Sequence, residues 1–67
     1  MTNLKQYRVM RGLTQLELSV RSGISLRTLQ DYEQGRKPIN QAAAIKVCKL
    51  AEILDCNVWE LLEDEDD

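Results

Sequence analysis

Residues 14–35 have the sequence TQLELSVRSGISLRTLQDYEQG, which predicts two short helices joined by a tight turn. Thr14 and Glu17 form a capping box, in which the hydroxyl and the carboxylate each satisfy a backbone N–H at the start of the first helix. Gly23 is expected to end that helix, because glycine adopts the left-handed conformation without strain. Ser25 is a favourable N-cap for the second helix. The stretch therefore predicts a helix–turn–helix arrangement of about twenty residues.

Glycine, proline and further capping residues divide the rest of the chain into three more helices. Gly12 is placed to end a first helix, Gly35 to end the third, and Asn40 to cap a fourth. No segment alternates apolar and polar residues for long enough to suggest a strand. The predicted helices are 2–11, 14–22, 25–34, 40–54 and a short one capped by Asn57 with Glu60.

Apolar residues at helical spacing predict which side chains enter the core. With 67 residues the chain has room for one domain, expected over 1–63, followed by an acidic, disordered tail at 64–67. The fold class is therefore predicted as all-α, a compact five-helix domain. The expected core residues are Leu4, Tyr7, Met10, Leu18, Ile24, Leu29, Tyr32, Ala43, Val47, Leu50, Ala51, Leu54, Leu61 and Leu62.

The charge is divided unevenly along the chain. Residues 1–37 carry seven basic and three acidic side chains, a net charge of +4, whereas residues 38–67 carry two basic and eight acidic ones, a net charge of −6. The overall charge of −2 therefore hides a basic half that suits an anionic partner and an acidic half that is expected to point elsewhere.

The two cysteines, Cys48 and Cys56, are too few for a four-ligand zinc site, and the chain has no histidine. They are expected to be buried, reduced thiols, with a disulfide inside the domain as the alternative. No metal or cofactor is expected. The chain has no apolar run of membrane-spanning length and no signal-like N-terminus, so a cytoplasmic location without membrane attachment is expected.

Three motifs surround the predicted turn: Leu13-Thr14-Gln15-x-Glu17-Leu18, Gly23-Ile24-Ser25, and Thr28-Leu29-x-x-Tyr32-Glu33-x-Gly35. Together they resemble the phage-repressor and Cro family of DNA-binding proteins, also called the xenobiotic-response-element type. The stretches 39–42, 49–51 and 54–56 look like the fourth helix of many small bacterial members. The resemblance implies a lambda-repressor-like domain with its helix-turn-helix at the second and third helices, and double-stranded DNA as partner.

The resemblance places the helix that begins at Ser25 in the major groove, which is wide enough for one α-helix. Its outward positions are expected to face base edges and are Leu26, Arg27, Gln30 and Asp31. Arg27 is the leading base reader, because its guanidinium fork matches O6 and N7 of guanine; the alternative is a solvated surface charge. Gln30 can pair with adenine, and Leu26 can contact a thymine methyl group.

Side chains around this helix are expected to contact phosphates. Gln15 lies at a helix N-terminus, where free N–H groups and the helix dipole favour an anion, and the matching residue of the family contacts the DNA backbone. The hydroxyls of Thr14 and Ser25 are candidate donors as well as caps. The predicted phosphate contacts are Thr14, Gln15, Ser25, Thr28, Arg36 and Lys37.

The resemblance also implies a structural ion pair between Arg8 and Glu33, linking the first helix to the end of the third.

Asp31 departs from the family pattern, because a carboxylate on the reading side repels phosphate; it can accept from cytosine N4 or pair with Arg27. Ser22 stands where the family usually has a larger apolar residue, which implies looser packing there.

Two functions remain open from the sequence. The first is a sequence-specific transcriptional regulator, most simply a repressor, that binds as a homodimer to a near-palindromic site; a toxin–antitoxin or mobile-element regulator is a special case. The second is a protein-interaction module or antitoxin-like partner with weak DNA binding, favoured by the acidic half and by Trp59. That tryptophan either closes the last helix or lies exposed at a contact. An enzyme is not expected, because histidine, a glycine-rich phosphate loop and the mass for a pocket are missing.

Overall fold

A computed structural model describes residues 1–64 and shows five α-helices in that range, without strands. The all-α, five-helix prediction is therefore confirmed. The second helix packs against the third and the fourth, and the first packs against the third and the fifth. None of these helices is both long and apolar enough to cross a bilayer. The helices are α1 (Asn3–Met10), α2 (Gln15–Ser22), α3 (Leu26–Gln34), α4 (Ala44–Leu54) and α5 (Val58–Leu61).

The helix ends around the central turn form as the sequence predicts. The Thr14 hydroxyl accepts from the Glu17 N–H at 3.0 Å, and the Glu17 carboxylate accepts from the Thr14 N–H at 2.9 Å. Gly23 ends α2 in the left-handed region with φ of 73°. Ser25 caps α3 by accepting from the Thr28 N–H at 3.2 Å. Local hydrogen bonds therefore set the length of both helices and the angle of the turn.

The core lies where all five helices meet. Its largest fully buried side chains are leucines, and each contributes about 1.5–3 kcal/mol through burial of apolar surface. Tyr7 and Leu62 pack against this cluster while partly exposed. The fully buried leucines are Leu4, Leu18, Leu29, Leu50, Leu54 and Leu61.

The predicted start of α4 is wrong. The buried Ile39 and its neighbours form a separate 3₁₀ turn, Ile39–Gln41, and α4 begins only at Ala44. Asn40 does not cap a helix: its amide donates to the backbone carbonyl of Glu63 at 2.7 Å and accepts from the Glu63 N–H at 2.8 Å. Ala43 takes the N-cap position and is exposed, so its predicted place in the core is wrong too.

Met10 was expected in the core but is 68% exposed. Six positions separate it from Leu4, which rotates it by about 120° around an ideal helix. The side of α1 that faces the core runs instead from Leu4 to Arg8, whose guanidinium binds the buried Glu33 carboxylate.

The predicted burial of Cys48 is also wrong, because its side chain is exposed. It follows the buried Val47 by one position and is therefore turned about 100° away from the core. Cys56 is half-buried, and this desolvation raises the pKa of its thiol. Both cysteines are free thiols.

Ser22 is buried, and its hydroxyl accepts from the Ile24 N–H at 3.2 Å. A surface hollow of about 210 Å³ borders Ser22, Ile24 and Ile45, between the turn and α4. This hollow is open to solvent, and the looser packing implied by the family pattern stays a prediction. The predicted acidic tail begins at the exposed Asp64, and its remaining residues, 65–67, lie outside the described residues.

The Arg8–Glu33 ion pair implied by the resemblance is present and joins α1 to α3. Arg8 Nε lies 2.6 Å from Glu33 Oε2, and Nη2 lies 3.0 Å from Oε1, so the pair is bidentate. The remaining guanidinium nitrogen, Nη1, donates to the carbonyl of Leu13 at 2.8 Å. The Glu33 side chain is 1% exposed and that of Arg8 11%. This pair is therefore shielded from solvent and fixes the loop before α2 as well.

Replacing Glu33 with alanine is expected to destabilise the protein by about 3 kcal/mol, because the Arg8 charge is left buried without its partner. Chemical denaturation followed by circular dichroism measures this change. Glu52→Ala, at an exposed position of α4, is the control. The double variant Arg8→Met/Glu33→Leu is expected to recover most of the loss, and an unchanged stability of Glu33→Ala would contradict the prediction.

A second polar contact joins α1 to α5. The Glu60 carboxylate accepts from the Tyr7 hydroxyl and, at 3.1 Å, from the Asn57 N–H. The hydrogen bond from Tyr7 is the main cause of a lowered pKa for Glu60, and the same bond raises the pKa of Tyr7. Glu60 therefore completes the predicted capping box of α5 and also ties that helix to α1.

The lowered pKa of Glu60 predicts a pH-dependent contribution to stability. A carboxylate whose pKa is lower in the folded state than in the unfolded state stabilises the fold fully above its unfolded pKa of about 4.3. This stabilisation is lost as the pH falls from there through the lower pKa of the folded state. The difference in unfolding free energy between wild type and Glu60→Gln should therefore be larger at neutral pH than near pH 3. Equal differences at the two pH values would show that the charge of Glu60 is not involved.

Candidate nucleic-acid interface

The first two turns of α3 present one face to solvent and the other to the core. Leu29 and Tyr32 are buried, whereas the Arg27 side chain is 80% exposed and Leu26 lies beside it at the surface. Gln30 is half-buried at the edge of this face. Three of the four predicted base readers are therefore accessible at the start of the helix.

Asp31 is the exception, since only 8% of it is exposed, and its predicted outward position is wrong. Its Oδ1 accepts from Arg36 Nε at 3.0 Å and lies 3.6 Å from Arg27 Nε, so the predicted pairing with Arg27 is present. Its backbone carbonyl accepts from the N–H groups of Arg36 and Lys37. Asp31 therefore fixes the loop after α3, and one carboxylate oxygen holds two arginines side by side.

A row of hydrogen bonds runs from the buried ion pair to the surface. Glu33 Oε1 accepts from Gln15 Nε2 at 3.1 Å, and Gln15 Oε1 accepts from Gln30 Nε2 at 3.4 Å. Gln15 is the first residue of α2, so the row places the start of α2 directly beside the exposed side of α3. We define the reading surface as Gln15, Leu26, Arg27 and Gln30.

The hydroxyl groups at this surface are already hydrogen-bonded within the protein. The Ser25 hydroxyl accepts from the Thr28 N–H and donates to Thr28 Oγ1 at 2.9 Å, and Thr14 caps α2. Thr14 and Ser25 are both exposed, so their oxygens cap the helices and remain open to an outside group. Their predicted capping role is confirmed, and phosphate contact stays a prediction.

Arg36 and Lys37 follow α3 directly and are both exposed. Arg36 and Arg27 share Asp31 Oδ1, which places the basic loop next to the exposed side of α3. The Arg27 side chain is 80% exposed and its contact with the buried Asp31 is long, at 3.6 Å, so Arg27 can leave it while Arg36 keeps Asp31 paired. The surface thus combines amide groups and an apolar side chain with two neighbouring arginines, Arg27 and Arg36.

A sequence model of a helix-turn-helix family matches residues 4–58. The chain belongs to this helix-turn-helix family. Its members are DNA-binding regulators of the xenobiotic-response-element and lambda-repressor-like type, which confirms the resemblance found in the sequence. Neither the curated proteins nor the solved structures give a match to this chain. In the helix-turn-helix protein described here, α2 and α3 are the two helices of the motif.

Two features of this helix-turn-helix unit escaped the sequence analysis. The contact between Gln15 and Gln30 joins residues on different helices, and no local spacing indicates it. The pairing of Asp31 with both Arg27 and Arg36 has a weak signal in the sequence. Arg36 follows Asp31 by five positions and comes directly after Gly35, which ends the helix. Both features depend on how α2, α3 and the following loop pack together.

Replacing Asp31 with asparagine is expected to strengthen binding to nonspecific duplex DNA about threefold at low salt, because two arginines lose their internal counterion. Fluorescence anisotropy with a labelled duplex at about 50 mM salt measures the effect. Asp55→Asn removes the same charge from an exposed position at the end of α4 and serves as the control. Weaker binding by Asp31→Asn would show that ordering of the loop outweighs the repulsion.

Proposed function

We propose that this protein is a sequence-specific transcriptional regulator, acting as a repressor that occludes a promoter. The observation that carries the proposal is the exposed first half of α3, with Arg27 at its centre, held in place by the row from Arg8 to Gln30. A recognition helix must keep its base-reading side chains accessible while its orientation stays rigid. Membership of a family of DNA-binding regulators supports the same conclusion.

In this proposal α3 enters the major groove with its exposed side against base edges. Arg27 donates two hydrogen bonds to guanine, Gln30 pairs with adenine, and Leu26 contacts a thymine methyl group. Asp31 acts indirectly, by holding Arg27 and by lowering the attraction to DNA of the wrong sequence.

Phosphate contacts then fix the position of α3 in the groove. Arg36 and Lys37 reach the backbone on one side, and Gln15, at the start of α2, does so on the other. The hydroxyls of Thr14, Ser25 and Thr28 complete the proposed set of phosphate-binding residues. Because the protein has a net charge of −2, its affinity depends on these local contacts rather than on overall attraction.

The proposed regulator binds as a homodimer to a near-palindromic operator. One domain covers only a few base pairs, and a two-fold pair of recognition helices reads half-sites whose centres lie about 10 base pairs, or a multiple, apart.

A second candidate function, a protein-interaction module with weak DNA binding, is favoured by the acidic half of the chain and by Trp59, whose side chain is exposed.

The test is selection of bound sequences from a random duplex library at about 100 mM salt, carried out with wild type and with Arg27→Ala. A two-fold motif is expected, and Arg27→Ala should lose preference at one position of each half-site, at a cost of about 1–3 kcal/mol. Arg21→Ala removes the same charge from an exposed position of α2 outside the reading surface and should leave the motif unchanged.

The salt dependence of binding separates the two functions. Contacts to several phosphates make log K fall with log salt by roughly 0.9 per phosphate neutralised. If no sequence is enriched and binding to the random duplex library does not respond to salt, the regulator proposal is contradicted and the interaction module is favoured.

A further inference from the structure

A cavity of about 290 Å³ opens beside the loop that follows α3. Lys37 borders it on the side of the loop, and Asp64, where the described residues end, borders it as well. The buried side chains of Tyr32 and Ile39 also line it. The cavity therefore brings a proposed phosphate-binding residue together with the acidic run, which we define as residues 63–67.

Two asparagines fix the chain where the acidic run begins. The Asn40 side chain accepts from the Glu63 N–H at 2.8 Å and donates to the Glu63 carbonyl at 2.7 Å. The Asn3 side chain donates to the carbonyl of Leu62 at 2.7 Å, and the Asn3 N–H donates to the Glu63 carboxylate at 3.2 Å. Because Asn40 follows Lys37 by three positions, these bonds hold the start of the run beside the loop that carries this lysine.

The charges on the two sides of the cavity are complementary. Lys37 is exposed, and in the part of the chain that the structure describes its ammonium forms no ion pair. Arg36 beside it already binds Asp31 at 3.0 Å. The three residues after Asp64 are all acidic, and three extended residues span about 10 Å. Their carboxylates are therefore within reach of an ammonium group that lacks an internal counterion.

We infer that residues 65–67 lie against Lys37 when DNA is absent, and that DNA phosphates displace them from it. The inference rests on the proposed function, in which Lys37 and Arg36 contact phosphates. A carboxylate and a phosphate compete for the same ammonium group, so the acidic run lowers the affinity of the protein for DNA. Because both groups belong to one chain, the competitor is present at an effective concentration of about 1 mM without any partner.

The size of this effect follows from how often Lys37 is occupied. Only the fraction of molecules with a free Lys37 binds phosphate there, and an acidic run that occupies it about two-thirds of the time raises the apparent Kd about threefold. The competing groups lie at the surface, so salt screens the contact and the effect should fade as salt rises.

The first experiment tests the contact in the full chain without DNA. A water-soluble carbodiimide joins an amine and a carboxylate that touch, with loss of one water, and mass spectrometry locates the amide. A link between Lys37 and residues 65–67 is expected within single chains at low salt, and should decrease at about 1 M salt, where the Debye length is about 3 Å. Lys46 and Lys49, both exposed on α4, are the internal controls. No link to Lys37, or equal links to the control lysines, would overturn the inference.

The second experiment measures the competition, by fluorescence anisotropy with a labelled duplex at about 50 mM salt. Glu65→Gln/Asp66→Asn should bind about threefold more tightly than the control Glu52→Gln/Asp55→Asn. Both variants make the same two exchanges and change the net charge equally, but Glu52 and Asp55 are exposed at the end of α4 and do not line the cavity. In a Lys37→Gln background the difference between the two variants should disappear, because the group for which the run competes is gone.

The outcomes separate this inference from the proposed function. A gain no larger than that of the control, or one that persists in the Lys37→Gln background, overturns the competition. A chain that selects a DNA sequence but forms no link between Lys37 and residues 65–67 overturns the inference alone. A chain that forms the link but binds no duplex in any variant contradicts the proposed function, while the contact within the chain stands.

Discussion

The buried ion pair between Arg8 and Glu33 is the constraint on which the rest of the structure depends. A carboxylate that is 1% exposed is tolerated only with its charge and lone pairs satisfied, and Glu33 meets this condition by binding Arg8 and Gln15. Arg8 in turn binds the carbonyl of Leu13 before α2. Three helices are thereby held in one relative arrangement, because a shift of any of them would break a hydrogen bond to the buried pair.

This constraint reaches the exposed side of α3 through Gln15, which also contacts Gln30. Asp31 has a comparable role two positions before Glu33 in α3, where it orders the following loop and keeps Arg27 close to Arg36. Arg8 is shielded from solvent together with Glu33, whereas Arg27 and Arg36 stay exposed beside Asp31. Charge is also divided along the chain, since residues 1–37 have a net charge of +4 and residues 38–67 one of −6.

The local sequence was sufficient to predict the helix-turn-helix unit. The capping box at Thr14, the left-handed Gly23 and the cap at Ser25 each involve residues within a few positions of one another, so their hydrogen bonds follow from the order of residues alone. The exposed side of α3, including Arg27, follows from the 3.6-residue period in the same way. The all-α class and most of the core leucines were therefore predictable.

The remaining features were decided by packing between distant segments of the chain. Asn40 meets Glu63 across 23 positions, and this pairing converts a predicted helix start into a 3₁₀ turn. Trp59 stays outside because Leu61 already fills the core position of α5. A short sequence pattern predicts which side chains share a face of one helix. Only the assembled helices decide which polar groups find partners and which apolar surface is left uncovered, because those free energies arise from contacts between elements.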